Sequence, residues 1–182
     1  ELSRFHINWS PDSRWITYSK MLPKGQKAIF VYNIKDQKAY QLTSGFYNDF
    51  SPVFDPNSEY LYYLSKRGLD PVYSSIDNTW IYPNATKIIA VPLTNSITSP
   101  LAPKNDSLEI ENDKDKKEKE KQESKDSKFK IDTANFESRM VVLPLKSGSY
   151  GNLSAIEGKI IYQKRESQGS NSRTTSLNYF DI

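Results

Sequence analysis

His6 is the only histidine in this 182-residue sequence, and there is no cysteine, which leaves nucleophilic catalysis little to work with. A Ser-His-acid arrangement would have to use His6. Its neighbours, Phe5 and Ile7, make a packed position in a strand the plainer reading. Serines are plentiful, yet no Gly-x-Ser-x-Gly elbow occurs. Metal ligation fares no better: with one imidazole and no thiolate only carboxylates remain, and they show no calcium-loop spacing. No glycine-rich phosphate loop is present. The lack of cysteine also excludes a disulfide framework, although it does not fix the compartment. The sequence therefore predicts no catalytic residue, no metal and no cofactor.

Recognition is better served. Residues 66–86 carry Asp70, Tyr73, Asp77, Trp80 and Tyr82, with Pro71 and Pro83 among them. Aromatic rings beside carboxylates can hold an extended peptide through ring contacts, backbone hydrogen bonds and attraction to its terminal amine. Long loops in compact domains are uncommon and often functional. The competing reading has Trp80 and Tyr82 packing over the sheet below and closing a gap. Both stay open at this point, with Asp70, Tyr73, Asp77, Trp80 and Tyr82 as the candidate substrate-binding residues.

The elements that must position these residues come from an internal repeat. Trp9-Ser10-Pro11-Asp12-Ser13-Arg14-Trp15-Ile16-Thr17-Tyr18 lies over Phe54-Asp55-Pro56-Asn57-Ser58-Glu59-Tyr60-Leu61-Tyr62-Tyr63 at a constant offset of 45. Each copy reads as a strand ending on an aromatic, a tight turn, and a second aromatic-rich strand. Pro11 and Pro56 pre-set φ for the turn, and Asp12 and Asn57 suit the tighter position after it. A period of about 40–45 residues with short strands is the mark of propeller blades. The expected fold is all-β, a run of β-propeller blades made of four-stranded antiparallel sheets, about three blades of a larger propeller. The predicted strands are 5–9, 14–20, 28–34 and 38–43, then 50–54, 60–65, 87–93 and 139–143, then 152–156, 159–163 and 177–182. The corresponding blades span 1–45, 46–145 and 146–182, the last one strand short. His6 then lies on the innermost strand, packed or facing the channel. Three incomplete blades cannot close a ring, so the chain is expected to continue in both directions. Glu1-Leu2-Ser3-Arg4, with no initiator Met and no apolar signal core, points the same way.

Residues 104–130 break the pattern with nine basic and nine acidic side chains. They read as a disordered charged insertion between strands three and four of the second blade, a docking arm for a charged partner being the sharper alternative. Their charges cancel, so the formal surplus of +3 belongs to the remainder. It is too small to argue for nucleic acid. No stretch approaches the roughly 18 apolar residues of a membrane span.

The Trp9-Ser10-Pro11-Asp12-Ser13 and Leu42-Thr43 motifs resemble the TolB-type propeller repeat. More specific are Phe50-Ser51-Pro52-Val53-Phe54-Asp55-Pro56, Tyr60-Leu61-Tyr62-Tyr63-Leu64-Ser65, Pro71-Val72-Tyr73 and Trp80-Ile81-Tyr82-Pro83-Asn84. After the charged insertion follow Ile131-Asp132, Arg139-Met140-Val141-Val142-Leu143-Pro144-Leu145 and Gly148-Ser149-Tyr150-Gly151-Asn152-Leu153. Taken in this order they resemble the propeller region of bacterial tricorn-type proteases. That resemblance implies a large serine-type peptidase whose propellers guide or filter peptides or unfolded polypeptide, with cleavage residues in other domains. It implies the remaining domains of the parent protein as partners and leaves homo-oligomer formation open. It also leaves open a periplasmic or cytoplasmic location in a bacterium, the periplasm being favoured. A non-enzymatic TolB-like protein-binding scaffold and the propeller of a prolyl-peptidase-type hydrolase stand as alternatives.

Overall fold

A computed structural model of the chain describes residues 6–103, 129–166 and 174–182. Its strands are β1 (Ile7–Trp9), β2 (Trp15–Met21), β3 (Lys27–Asn33), β4 (Lys38–Gln41), β5 (Asp49–Phe54), β6 (Tyr60–Ser65), β7 (Val72–Ser74), β8 (Thr79–Ile81), β9 (Lys87–Pro92), β10 (Val141–Val142), β11 (Ser149–Ile156), β12 (Lys159–Arg165) and β13 (Thr175–Asp181). They form antiparallel sheets in the orders β1-β2-β3-β4, β10-β9-β6-β5 and β11-β12-β13, with β7 and β8 as a separate pair. Two of the sheets are the four-stranded blades expected from the repeat.

The repeat is visible as geometry. β2 and β6 begin at Trp15 and Tyr60, 45 residues apart. The turns before them close alike, with Ser13 N–H on Ser10 C=O at 2.9 Å and Ser58 N–H on Asp55 C=O at 3.0 Å. The left-handed residue is the serine in each, Ser13 at φ 59° and Ser58 at φ 64°. Asp12 and Asn57 thus sit one place earlier than the tight position. Asp12 instead accepts hydrogen bonds from Ser10 Oγ at 2.6 Å and Arg14 N–H at 3.1 Å.

Side-chain alternation along β6 explains why the second sheet is the most buried. Successive strand residues point to opposite faces, and all six residues of Tyr60–Ser65 are buried. Leu61 and Tyr63 join Ile89 and Val91 in a core with Ile29, Val31 and Leu42 of the first sheet. Tyr60, Tyr62 and Leu64 join Ile88 and Ala90 in a second core with Tyr150, Leu153, Ile160 and Tyr162 of the third. A sheet covered on both faces needs apolar residues at every position, which is what Tyr-Leu-Tyr-Tyr-Leu supplies.

The innermost strands carry matching irregularities. The β5–β6 register shifts between Phe50 and Val53, and the β11–β12 register between Gly151 and Ser154. Ser51 and Asn152, inside those shifts, are left-handed at φ 53° and 48°. Each is a β-bulge that bends its strand.

Several strand boundaries differ from expectation, three of them with a consequence for the fold. β11 starts at Ser149, because Gly148 already pairs with Thr86 ahead of it. His6 precedes β1 and is exposed. The fourth strand of the second blade is only Val141–Val142; residues Phe136–Arg139 form a 3-10 turn instead. Arg139 leaves the strand because its guanidinium donates to the carbonyls of Pro92 (3.1 Å) and Ala134 (3.2 Å). Residues 104–128 of the charged insertion lie outside the described residues. In sequence they fall between β9 and β10, which pair with each other. Phe129, expected inside the charged run, packs edge-on against Phe54 at 5.4 Å. Among the described residues no helix is long and apolar enough to cross a membrane, and no group of three or more potential ligands could hold a metal.

Candidate functional site

Between β6 and β9 the chain leaves the second sheet as a stem, rises into the β7–β8 hairpin and returns. The first blade makes the same connection with a short turn in which Leu22 N–H bonds to Gln26 C=O. The longer version is fastened on two sides. Lys66 N–H donates to Asn48 C=O at 3.1 Å, and Thr86 and Gly148 exchange N–H···O=C bonds of 3.1 and 3.0 Å. Asn48 immediately precedes β5 and Gly148 immediately precedes β11. The stem therefore bridges the starts of two neighbouring innermost strands, where a propeller's channel opens. Gly68 N–H bonds to Ala85 C=O at 2.7 Å inside the stem. A Cβ at Gly68 would come within 2.8 Å of that oxygen, so the close approach requires glycine.

Arg67 supplies the electrostatic part of the anchor. Its guanidinium lies 3.2 Å from Asp49 Oδ1, with side chains only 6% and 1% exposed. Nε donates to Ser65 Oγ at 2.7 Å, and the cation stacks 4.7 Å above the Tyr47 ring. A terminal nitrogen also meets the Met140 sulfur. An isolated buried charge is costly, and here each is answered by the other. Tyr63, packed beside this pair, has its hydroxyl pushed up by burial and by the Asp49 charge.

In the hairpin Val72 pairs with Ile81, Tyr73 with Trp80 and Ser74 with Thr79. Tyr73 and Trp80 meet edge to face at 5.3 Å, and Tyr73 OH donates to Asn78 Oδ1 at 2.9 Å. Asn78 turns the chain at φ 54°. The hydroxyls of Ser74 and Thr79 hold the Asp77 carboxyl below its usual value. Asp77 thus organises the turn. Of the five candidate residues, Tyr73 and Trp80 are brought together, Asp77 caps their hairpin, and Asp70 and Tyr82 flank it on the two arms of the stem. Trp80 is 59% exposed and Tyr82 55%.

Sequence reasoning missed the hairpin and the residues that complete its surface. Val72 and Ile81 make an exposed pair on the face opposite Tyr73 and Trp80, and Ile76 at the tip is 96% exposed. The available signal was Val-Tyr-Ser and Thr-Trp-Ile, two runs of strand-forming residues around an Asp-Asn turn. Phe46 and Tyr47, in the crossover joined to the stem through Arg67, add a second exposed aromatic pair at 5.0 Å.

The other end of the blades is acidic. Asp55, Glu59, Tyr60 and Tyr62 line a shallow cleft with Thr98 and Pro100. Tyr60 OH donates to Thr98 C=O at 2.8 Å. Burial raises the Asp55 carboxyl, and the charges of Glu59 and Glu157 push the same way, against amide hydrogen bonds from Glu59 and Asn57.

Comparison with known proteins agrees with this architecture. The family model described as the tricorn protease second beta propeller domain matches residues 2–182. A tricorn protease of Thermoplasma volcanium is 33% identical over 145 residues, covering 76% of this chain and 14% of that protein. The crystal structure of the tricorn protease superposes with a TM-score of 0.72 at 22% identity, over 96% of this chain and 17% of that one. A putative TolB from Agrobacterium tumefaciens shares the fold, with a TM-score of 0.55 at 12% identity, over 98% of this chain and 45% of its own. The chain thus spans about one seventh of the length of the tricorn relative it matches.

Proposed function

The chain belongs to the tricorn protease second β-propeller family, and from that premise we propose that it is a non-catalytic propeller segment of a tricorn-like serine peptidase that guides peptides or unfolded polypeptide to a catalytic domain outside these 182 residues. The single observation that carries the guiding role is the β7–β8 hairpin. It stands on a stem joining the starts of two innermost strands and keeps Tyr73, Trp80 and Tyr82 half exposed. Aromatic surface held out at that place is costly to leave in water unless something uses it. In this reading the blades are 1–45, 46–145 and 146–182, and Tyr73, Trp80 and Tyr82 contact the passing peptide. Asp70 draws its amine, and Asp77 shapes the hairpin that presents the rings.

The test uses the full-length protein that contains this chain, with Trp80→Ala and Tyr82→Ala combined. For peptides of about a dozen residues kcat/KM is expected to fall about tenfold, the equivalent of ~1.4 kcal/mol. For a short chromogenic amide it should stay within about twofold, because that substrate does not need guiding. Equal effects on both substrates, or none on either, remove the guiding role.

A further inference from the structure

The hairpin has a property that a simple aromatic patch lacks. Among the described residues β7 and β8 pair only with each other, so each presents one edge with no described strand beside it. Unpaired strand edges are templates for another chain, and natural proteins usually cover, bend or charge them. Neither Lys nor Arg occurs between residues 68 and 86, and Pro71 and Pro83 lie outside the two strands. β8 is the more open edge: Thr79, Trp80 and Ile81 are all exposed, whereas Ser74 of β7 is partly covered.

We infer that β8 captures its peptide by strand addition, an extended segment pairing with Thr79–Ile81 as a third, antiparallel strand. This rests on the peptide-guiding reading above and specifies its chemistry. Backbone hydrogen bonds supply sequence-tolerant attraction, and alternate side chains meet the two faces of the hairpin. Residues on one face pack beside the Trp80–Tyr73 ring pair, and those on the other beside Val72 and Ile81. The occupant is an extended peptide with apolar or β-branched residues at alternate positions and a free amino end. Charge sets its direction. Extending the Val72–Ile81 register places Asp70 level with Pro83, the side reached by the amino end of an antiparallel strand. A carboxylate at the other end would come level with Asp77 and is repelled, so a chain that continues past the hairpin is preferred over one that stops there. A three-residue template gives few hydrogen bonds, so a dissociation constant on the order of 0.1–1 mM is expected. Weak capture suits a step that must also release.

Saturation-transfer NMR on the full-length protein at 4 °C reads this directly. The probe is a heptapeptide of alternating Val and Thr, with a free amino end and an amidated carboxy end, compared with two isomers N-methylated at odd or at even residues. In a strand only alternate amides point at the template. One isomer should lose at least about tenfold in affinity while the other stays within about threefold, and Trp80→Ala should weaken the probe several-fold. If both isomers bind like the probe while Trp80→Ala still weakens them, strand addition is wrong and peptide contact stands. If the probe does not bind, the inference fails. The guiding role is then judged by the long-substrate kinetics alone. Hydrogen exchange of 72–81 as slow as that of β6 without peptide would show the edge already occupied by another part of the protein or a second copy, which also overturns the inference.

Discussion

Asp55 is held between opposing demands. It is 4% exposed and opens the turn from β5 into β6, where its carboxylate accepts the Glu59 amide at 3.2 Å. Burial penalises the charge that this role favours, and Glu59 and Glu157 add repulsion. The net shift is upward, which fixes the sign of its effect on stability. A carboxyl raised in the folded state loses its proton more readily when unfolded. It therefore costs stability as pH rises from the ordinary carboxylate value of 3.8 through the raised one. Asp55→Asn keeps an acceptor without the charge, so the variant should be more stable than the parent at pH 7. That advantage should shrink as pH falls through the raised value and be gone below about 4. Hydrogen exchange of the β5 and β6 amides across that range checks it; a variant weaker at pH 7 would show that the second carboxylate oxygen matters more than its charge. Ser13 and Ser58 make a related point. The left-handed place in each turn is taken by serine, with the Pro-Asp or Pro-Asn pair ahead of it shaping the approach.

Elements were legible where they repeat or alternate. The 45-residue offset located β1–β2 and β5–β6, and runs such as Ala28–Asn33 and Ile88–Val91 marked strands buried on one or both faces. The β7–β8 hairpin was not legible, because two three-residue strands are too short to establish an alternation and nothing in sequence signals the stem that supports them. Arg139 looked like the start of a strand because it leads into Met140-Val141-Val142. Only the fold reveals the carbonyls of Pro92 and Ala134 that draw it away. Of the candidate site, the aromatic residues could be read but their anchor could not. Arg67 is an ordinary surface-type residue until Asp49 and Tyr47 are brought to it from 18 and 20 positions away. Arg67→Ala strands the buried Asp49 charge, and about 3–5 kcal/mol of local stability should be lost. The loss is read from hydrogen exchange at β5 and the stem. Pairing Arg67→Met with Asp49→Leu should recover most of it, since no charge is then left alone. A single variant costing under about 1 kcal/mol would mean that water already reaches the pair.

At the scale of the whole chain, the second sheet is the keystone, since both packed cores run through β6 and β9. The amides of Leu61–Leu64 and Ile88–Val91 should exchange slowest in the chain. Those of β13, where Leu177 and Tyr179 are 73% and 63% exposed, and of the hairpin should exchange fastest. Uniform protection across the three sheets would mean that they open as one unit. The same sheet has an awkward order of manufacture. β9 ends at Pro92, but its outer neighbour β10 does not begin until Val141. At ~5–20 residues per second, a ribosome needs roughly 2–10 s to deliver the missing strand. Throughout that interval the flank of β9 has no mate, while the first blade is already complete and waiting against the inner core. The nascent chain is then most open to wrong partners, and lengthening the 93–140 segment prolongs that exposure during synthesis.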